Sequence, residues 1–176
     1  MLSSGRPKNA ANRLSKEQQV YDLLDHLSLE YQVADHAPAM TMEDIAGAEK
    51  ELDVKICKNL FLVNSNKSQY YLCMISGEKK FKTKDISKQI NSSRLSFAGD
   101  DKMLEYLDIT PGSVSVMGLM NDDDHHVLLL VDEDLMQEEY IGFHPCINTS
   151  SVKLKTEDLF KKVLKEINHD YTIIHC

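Results

Sequence analysis

Apolar residues recur at two periods along this 176-residue chain, and the change from one period to the other marks out helices and strands. Behind Ser15-x-x-Gln18, which has the form of a capping box, Val20, Leu23, Leu24 and Leu27 fall at i, i+3, i+4 and i+7. That spacing predicts an amphipathic helix of about three turns. Tyr31-Gln32-Val33 predicts a short strand. After a loop at His36-Ala37-Pro38-Ala39, Thr41-x-x-Asp44 opens a second helix whose inner face is Ile45, Ala46 and Leu52. The strand-like runs 60–63 and 70–75 are joined by Asn64-Ser65-Asn66-Lys67-Ser68, which is turn chemistry. They predict a hairpin whose second strand is buried on both faces and ends at Gly77.

Thr83 is placed to cap a short helix through Ile86 and Ile90, and a further helix covers 102–107 before Thr110-Pro111-Gly112 turns the chain. The runs 114–119, 127–131 and 139–143 predict three strands in an antiparallel meander with acidic turns. Thr156 is expected to cap a helix carrying the apolar stripe Leu159, Phe160, Val163, Leu164 and Ile167, and Tyr171-Thr172-Ile173-Ile174 to close the chain as a strand. Helices and strands are mixed rather than strictly alternating. This favours a single compact α/β domain, a mixed and largely antiparallel sheet with flanking helices, over a doubly wound nucleotide fold. Residues 1–13 are polar, contain Gly5-Arg6-Pro7 and show no apolar period, so they read as a flexible leader before a domain spanning 14–176.

Charge narrows the function classes. A formal net charge of −8 argues against a general nucleic-acid coat, whose affinity comes from many phosphate contacts. Any nucleic acid must be met locally, and Lys79, Lys80, Lys82, Lys84 and Lys88 supply a local cluster. The acids gather elsewhere, at Asp122-Asp123-Asp124, Asp132-Glu133-Asp134 and Glu138-Glu139. The longest apolar run, 127–131, is far short of the roughly 20 residues that span a bilayer, and the start of the chain lacks a signal-peptide core. Cys57, Cys73, Cys146 and Cys176 form no Cys-x-x-Cys pair. Reduced thiols, a cytoplasmic location and no membrane are the expectation.

The candidate chemistry lies where apolar runs end. Lys58-Asn59 precede Leu60-Phe61-Leu62-Val63, and Gly142-Phe143-His144-Pro145-Cys146-Ile147-Asn148-Thr149 follows Tyr140-Ile141. A cation, an amide, an imidazole and a glycine that permits close backbone approach suit a small ester attached to a nucleotide. Met40, Met42, Met117 and Met120 are candidates for an apolar pocket wall, although methionine more often fills core gaps.

Five segments in order carry a resemblance: His36-Ala37-Pro38-Ala39-x-Thr41-Met42-Glu43-Asp44, Lys58-Asn59-Leu60-Phe61-Leu62, Lys82-Thr83-Lys84-Asp85-Ile86, Thr110-Pro111-Gly112-Ser113-Val114 and His144-Pro145-x-x-Asn148-Thr149. From about residue 15 to 175 the chain resembles the YbaK/ProX family of prolyl-tRNA editing domains, and most closely its free-standing alanyl-tRNA(Pro) deacylase branch. The resemblance implies a trans-editing hydrolase that cleaves the ester between a wrongly attached amino acid and the terminal adenosine of tRNA(Pro). Alanine is the implied amino acid, with cysteine, serine or threonine as alternatives in the same family. It implies functional roles for Lys58, Asn59, His144 and Gly142. Pro145, Asn148 and Thr149 continue the histidine loop at the substrate, Met117 stands at the pocket, and Lys82 and Lys84 stand near the tRNA. The implied partners are the tRNA(Pro) acceptor end and prolyl-tRNA synthetase.

An aminoacyl ester is already activated, so its hydrolysis asks mainly for a held water, a shielded carbonyl and orientation. Backbone groups near Gly142, with a ribose hydroxyl, are expected to position that water. There is no Gly-x-Ser-x-Gly elbow, and no Cys-His partnership is assignable for Cys57. His125, His126, His144 and Cys146 are zinc-competent types at no standard zinc spacing, so neither metal nor cofactor is expected. The rival class is a catalytically silent module that binds the tRNA end or the synthetase; the presence of both Lys58 and His144 favours the enzyme.

Overall fold

Aliphatic and β-branched runs form two sheets in the computed structural model, which describes residues 2–39 and 44–176. In chain order the strands and helices are β1 (Leu2–Ser4), α1 (Ser15–His26), β2 (Tyr31–Asp35), α2 (Ala46–Leu52), β3 (Lys58–Asn64), β4 (Tyr70–Ile75), α3 (Thr83–Gln89), β5 (Leu95–Phe97) and α4 (Asp100–Leu107). They continue with β6 (Val127–Asp132), β7 (Tyr140–Phe143), β8 (Ser150–Lys155), α5 (Thr156–Asp158), α6 (Leu164–Glu166) and β9 (Tyr171–Ile174), α5 and α6 being joined through a π-helical turn at Leu159–Val163. One sheet has the antiparallel order β1-β2-β8-β7. The other runs β5-β3-β4-β6-β9, antiparallel at β5/β3 and β3/β4 and parallel at β4/β6 and β6/β9.

The main core lies between the sheets. It joins Val33, Ile141, Phe143 and Leu154 of the first to Phe61, Leu72, Met74 and Leu129 of the second, with Val20, Tyr21 and Leu24 of α1 and Leu159 and Val163 of the last helical stretch. The opposite face of the second sheet is covered by Ile86 of α3, packed with Leu62, Cys73, Ile75 and Leu130. β4 is therefore buried on both faces, as its uninterrupted apolar sequence predicts. α2 packs Ala48 and Leu52 on Ala34 and Ile56. The start of the α2 helix expected from Thr41 lies outside the described residues, as do Met40 and Met42.

Three expectations need correction. Residues 114–119 do not form a strand. Ser115 caps a 3-10 helix at Val116–Asn121, its Oγ accepting from Met117 N, and a Cβ on Gly118 would lie 2.4 Å from Ile109 Cδ1. A segment seated that closely on the end of α4 cannot extend. No meander forms either: β6 inserts in parallel between β4 and β9, and β7 belongs to the other sheet. The polar leader is not loose. β1 pairs with β2, Gly5 N donates to Tyr31 O at 2.8 Å, and Arg6 binds Asp22 and Asp25 of α1. Arg13 bridges Glu17 at 2.6 Å and Asp35 at 2.7 Å, and Glu17, 2% exposed, also accepts from the Tyr21 hydroxyl at 2.7 Å. Its order comes from carboxylates on α1 and β2, which no local period reveals.

Candidate functional site

The two sheets meet at one seam, and the site lies beside it. Ile56, just before β3, bridges Gly142 of β7 in parallel, with Cys57 N donating to Gly142 O at 2.9 Å and Gly142 N to Lys55 O at 3.2 Å. A Cβ on Gly142 would stand 2.9 Å from both Ile56 Cγ1 and Lys55 O, closer than real Cβ contacts allow. Gly142 is thus required for strand contact rather than for a ligand. Its own N–H and C=O are both engaged in that contact.

Further along β3 its outer edge opens. Backbone groups of alternate residues in a ladder point to opposite sides. Cys57 is met by β7, and Phe61 O accepts from Ala98 N at 2.9 Å just beyond β5. Asn59, midway between, shares their parity and directs its backbone N–H and C=O at the uncovered stretch. A cleft of about 350 Å³ lies there, lined by Ala39, Ile45, Ile56, Cys57, Lys58, Asn59, Leu60, Gly112, Val114 and His144. Lys58 and His144, far apart in sequence, therefore share one recess.

Lys58 Nζ donates to Lys79 O at 3.2 Å, while the Lys79 ammonium is held by Asp132 at 2.8 Å and Asp134 at 2.6 Å. Asn59 Nδ2 donates to Cys57 Sγ at 3.4 Å, and its buried Oδ1 has no hydrogen-bond partner among the described residues. An orphaned acceptor beside a cleft is a waiting partner for a hydroxyl or ammonium. Burial pushes the Cys57 thiol up to about 12, which leaves it protonated and a poor nucleophile at neutral pH.

His144 is fixed from behind. Its carbonyl accepts from Ser115 Oγ, and its Nδ1 lies 2.9 Å from Ser150 O and 3.3 Å from Ser151 Oγ. A carbonyl only accepts, so Nδ1 carries the hydrogen and, in the neutral ring, Nε2 carries the lone pair. Burial, with the neighbouring His36, lowers the His144 pKa from its ordinary value against the opposing pull of the Ser150 carbonyl. The ring is neutral at pH 7. His36 Nδ1 lies 2.8 Å from Ala37 O and Nε2 2.9 Å from Ser151 Oγ, so the fully buried Ser151 hydroxyl links the two imidazoles.

The other sequence candidates fall outside the cleft lining. Met117 is wholly buried in the main core, which corrects its reading as a pocket wall. Pro145 is buried. Asn148 O accepts from Ala39 N and Thr149 O from His36 N, so the backbone of this loop holds the 36–39 segment against the site. Lys82 and Lys84 are exposed in an adjoining groove that shares Lys58 and Leu60 with the cleft. His36 and Ser151 were not singled out by sequence. The first lay within a recognisable segment and the second within Ser150-Ser151, but a hydroxyl bridging two rings from distant segments leaves no mark in spacing. Among the described residues no group of three or more His, Cys, Asp or Glu side chains could hold a metal, and no helix is long and apolar enough to cross a membrane.

The fold is a mixed two-sheet α/β domain, and a lysine, an asparagine and a histidine gather around one small recess. Residues 36–162 match the aminoacyl-tRNA editing domain. The chain is 32% identical over 161 residues to the prolyl-tRNA editing protein ProX of Acetoanaerobium sticklandii, covering 92% of this chain and 98% of that one. It is 29% identical to the mouse prolyl-tRNA synthetase associated domain-containing protein 1, over 86% and 91% of the two chains. A solved structure described as a candidate trans-editing enzyme for prolyl tRNA synthetase shares the fold, with a TM-score of 0.69, 17% identity and coverage of 93% and 97%. The chain belongs to the aminoacyl-tRNA editing domain family, and it is an aminoacyl-tRNA deacylase.

Proposed function

We propose that this protein edits tRNA(Pro) in trans, hydrolysing the ester of a mischarged amino acid, with alanine the preferred one. The convergence of Lys58, Asn59 and His144 on one cleft carries the reading. The ester carbonyl lies against the open edge of β3, where Asn59 N–H donates to the oxygen as negative charge develops. Asn59 Oδ1 accepts from the substrate ammonium or a ribose hydroxyl. Lys58 neutralises the phosphate and ribose side. His144 Nε2 accepts a hydrogen from the attacking water, and the collapse of the tetrahedral intermediate returns a proton to the departing ribose oxygen. Gly142 and Pro145 hold the loop, and Asn148 and Thr149 hold it to the 36–39 segment. Lys82 and Lys84 meet acceptor-end phosphates.

Alanine is supported by the walls. Ala39, Ile45, Ile56 and Val114 give the cleft an apolar side on which a methyl group packs without an unmet hydrogen bond. Prolyl-tRNA synthetase is the source of such an ester and the partner this reading implies, which puts the work in the cytoplasm.

The test is to incubate tRNA(Pro) charged with alanine, cysteine, serine or proline with the protein and with Lys58→Ala. Loss of the alanyl ester alone, abolished in the variant, is the expected result. Faster loss of the cysteinyl ester transfers the chain to a cysteine-editing role. Binding of the tRNA without hydrolysis of any ester sinks the enzymatic reading.

A further inference from the structure

Beyond Lys58 the cleft runs into a groove on the α3 face of the second sheet. Phe97 is directly opposite Leu62 in the β3/β5 ladder, so the two side chains share that face with Leu60. Leu62 is wholly buried, whereas Phe97, the last residue of β5, is 66% exposed. Half-buried Leu60 and Phe81 complete an apolar floor. Lys80, Lys82 and Lys84 stand exposed along its rim, and among the described residues none of them is in an ion pair, in contrast to Lys79. Of the acids on the same groove, Glu78 is paired with Lys55 at 2.8 Å, and Asp85 lies in the first turn of α3. In a chain of net charge −8 this is a local reversal of sign around an open aromatic ring.

We propose that this groove seats the terminal unpaired nucleotide of the substrate, its base stacked on Phe97 and the phosphate on its 5′ side held by Lys82 and Lys84. The inference rests on the deacylase reading for what occupies the cleft. An aromatic face flanked by cations suits an unpaired nucleotide, because a base already stacked within a duplex cannot present its face to Phe97. The distance also fits. From Asn59 to Leu62, beside which Phe97 sits, β3 rises roughly 10 Å, about the span from an ester across one ribose to its base.

The experiment uses the whole protein and a short uncharged RNA whose 3′-terminal base is 2-aminopurine. Binding is expected to change its fluorescence. Phe97→Ala is expected to abolish that change, to weaken binding roughly tenfold and to raise KM for the charged tRNA by a similar factor, while Phe97→Trp retains all three. Lys82→Ala and Lys84→Ala are each expected to lower the slope of log affinity against log salt by roughly 0.7. Because Phe97 is exposed, its variants should melt like the parent. The seat is overturned if the terminal-base signal persists in Phe97→Ala, if affinity and KM are unmoved, or if a blunt duplex of equal length binds as well. Hydrolysis with Phe97→Ala indistinguishable from the parent sinks the seat and leaves the deacylase. A terminal-base signal without hydrolysis of any ester sinks the deacylase and leaves the seat.

Discussion

The His36 and His144 rings lie 5.8 Å apart, tilted by 51°, with Ser151 Oγ between His36 Nε2 and His144 Nδ1. One consistent set of hydrogens satisfies both rings: Ser151 donates to His36, His36 Nδ1 donates to Ala37 O, and His144 Nδ1 donates to Ser150 O with Ser151 as its second acceptor. Ser151→Ala removes the hub but leaves the Ser150 bond. We expect kcat for the alanyl ester to fall about fivefold, the equivalent of one net hydrogen bond of about 1 kcal/mol. A kcat unchanged within error would show that Ser150 alone orients His144.

The pH profile tests the neutral ring. A protonated His144 has no lone pair on Nε2, so activity should fall as pH drops through the pKa of His144. That pKa is held below the ordinary value of about 6.5, and the acid limb should therefore lie below pH 6.5. Deacylation rates measured from pH 4.5 to 8 should be flat above about pH 7, and His144→Gln should lose about a hundredfold or more in kcat together with this limb. The same shift makes the folded state bind this proton less readily than the unfolded chain, so stability from His144 is lost, not gained, as pH falls through 6.5.

Gly142→Ala tests the seam. The new methyl group must displace Ile56 or the Lys55 carbonyl, and the seam fixes where Lys58 stands relative to His144. A stability loss of roughly 1–3 kcal/mol in denaturant unfolding is expected, with a larger loss of activity than of structure at 25 °C. Full activity would mean that β3 and β7 can part without moving the site.

Arg13→Ala tests the ordered leader. It strands Glu17, 2% exposed, without its cation, and leaving one partner of a buried pair typically costs about 3–5 kcal/mol. Thermal unfolding should show the largest drop of these variants. Arg13→Lys should recover only part of it, because an ammonium cannot span Glu17 and Asp35 as the guanidinium does. A drop of only a few tenths of a kcal/mol would return residues 1–13 to the status of an appendage.

Local pattern gave the helix at α1, the β3/β4 hairpin and the terminal strand, because each is written in a period that neighbouring residues complete. It misread what depends on distant partners. The run 127–131 is uninterrupted rather than alternating, the pattern of a strand in a parallel sheet, and its close spacing to neighbouring runs does not by itself distinguish a meander from parallel insertion. Lys58 and His144 were legible as motif residues, and their shared recess follows from a seam set by Gly142. The open edge at Asn59 was not legible, since it arises where β7 stops short and β5 begins, a property of three strands at once. The order of residues 2–13 is illegible for the same reason: their two arginines are satisfied by carboxylates on α1 and β2.

The clamp of Asp132 and Asp134 on Lys79 has a consequence that runs against intuition. The Lys79 carbonyl steadies the Lys58 ammonium, so part of the chain's acidity is internal rigging for its own cation. Removing the buried Asp132 would make the chain less acidic and improve the long-range attraction for a polyanion and, at short range, let the group that grips it swing free. Such a variant should arrive faster and hold less.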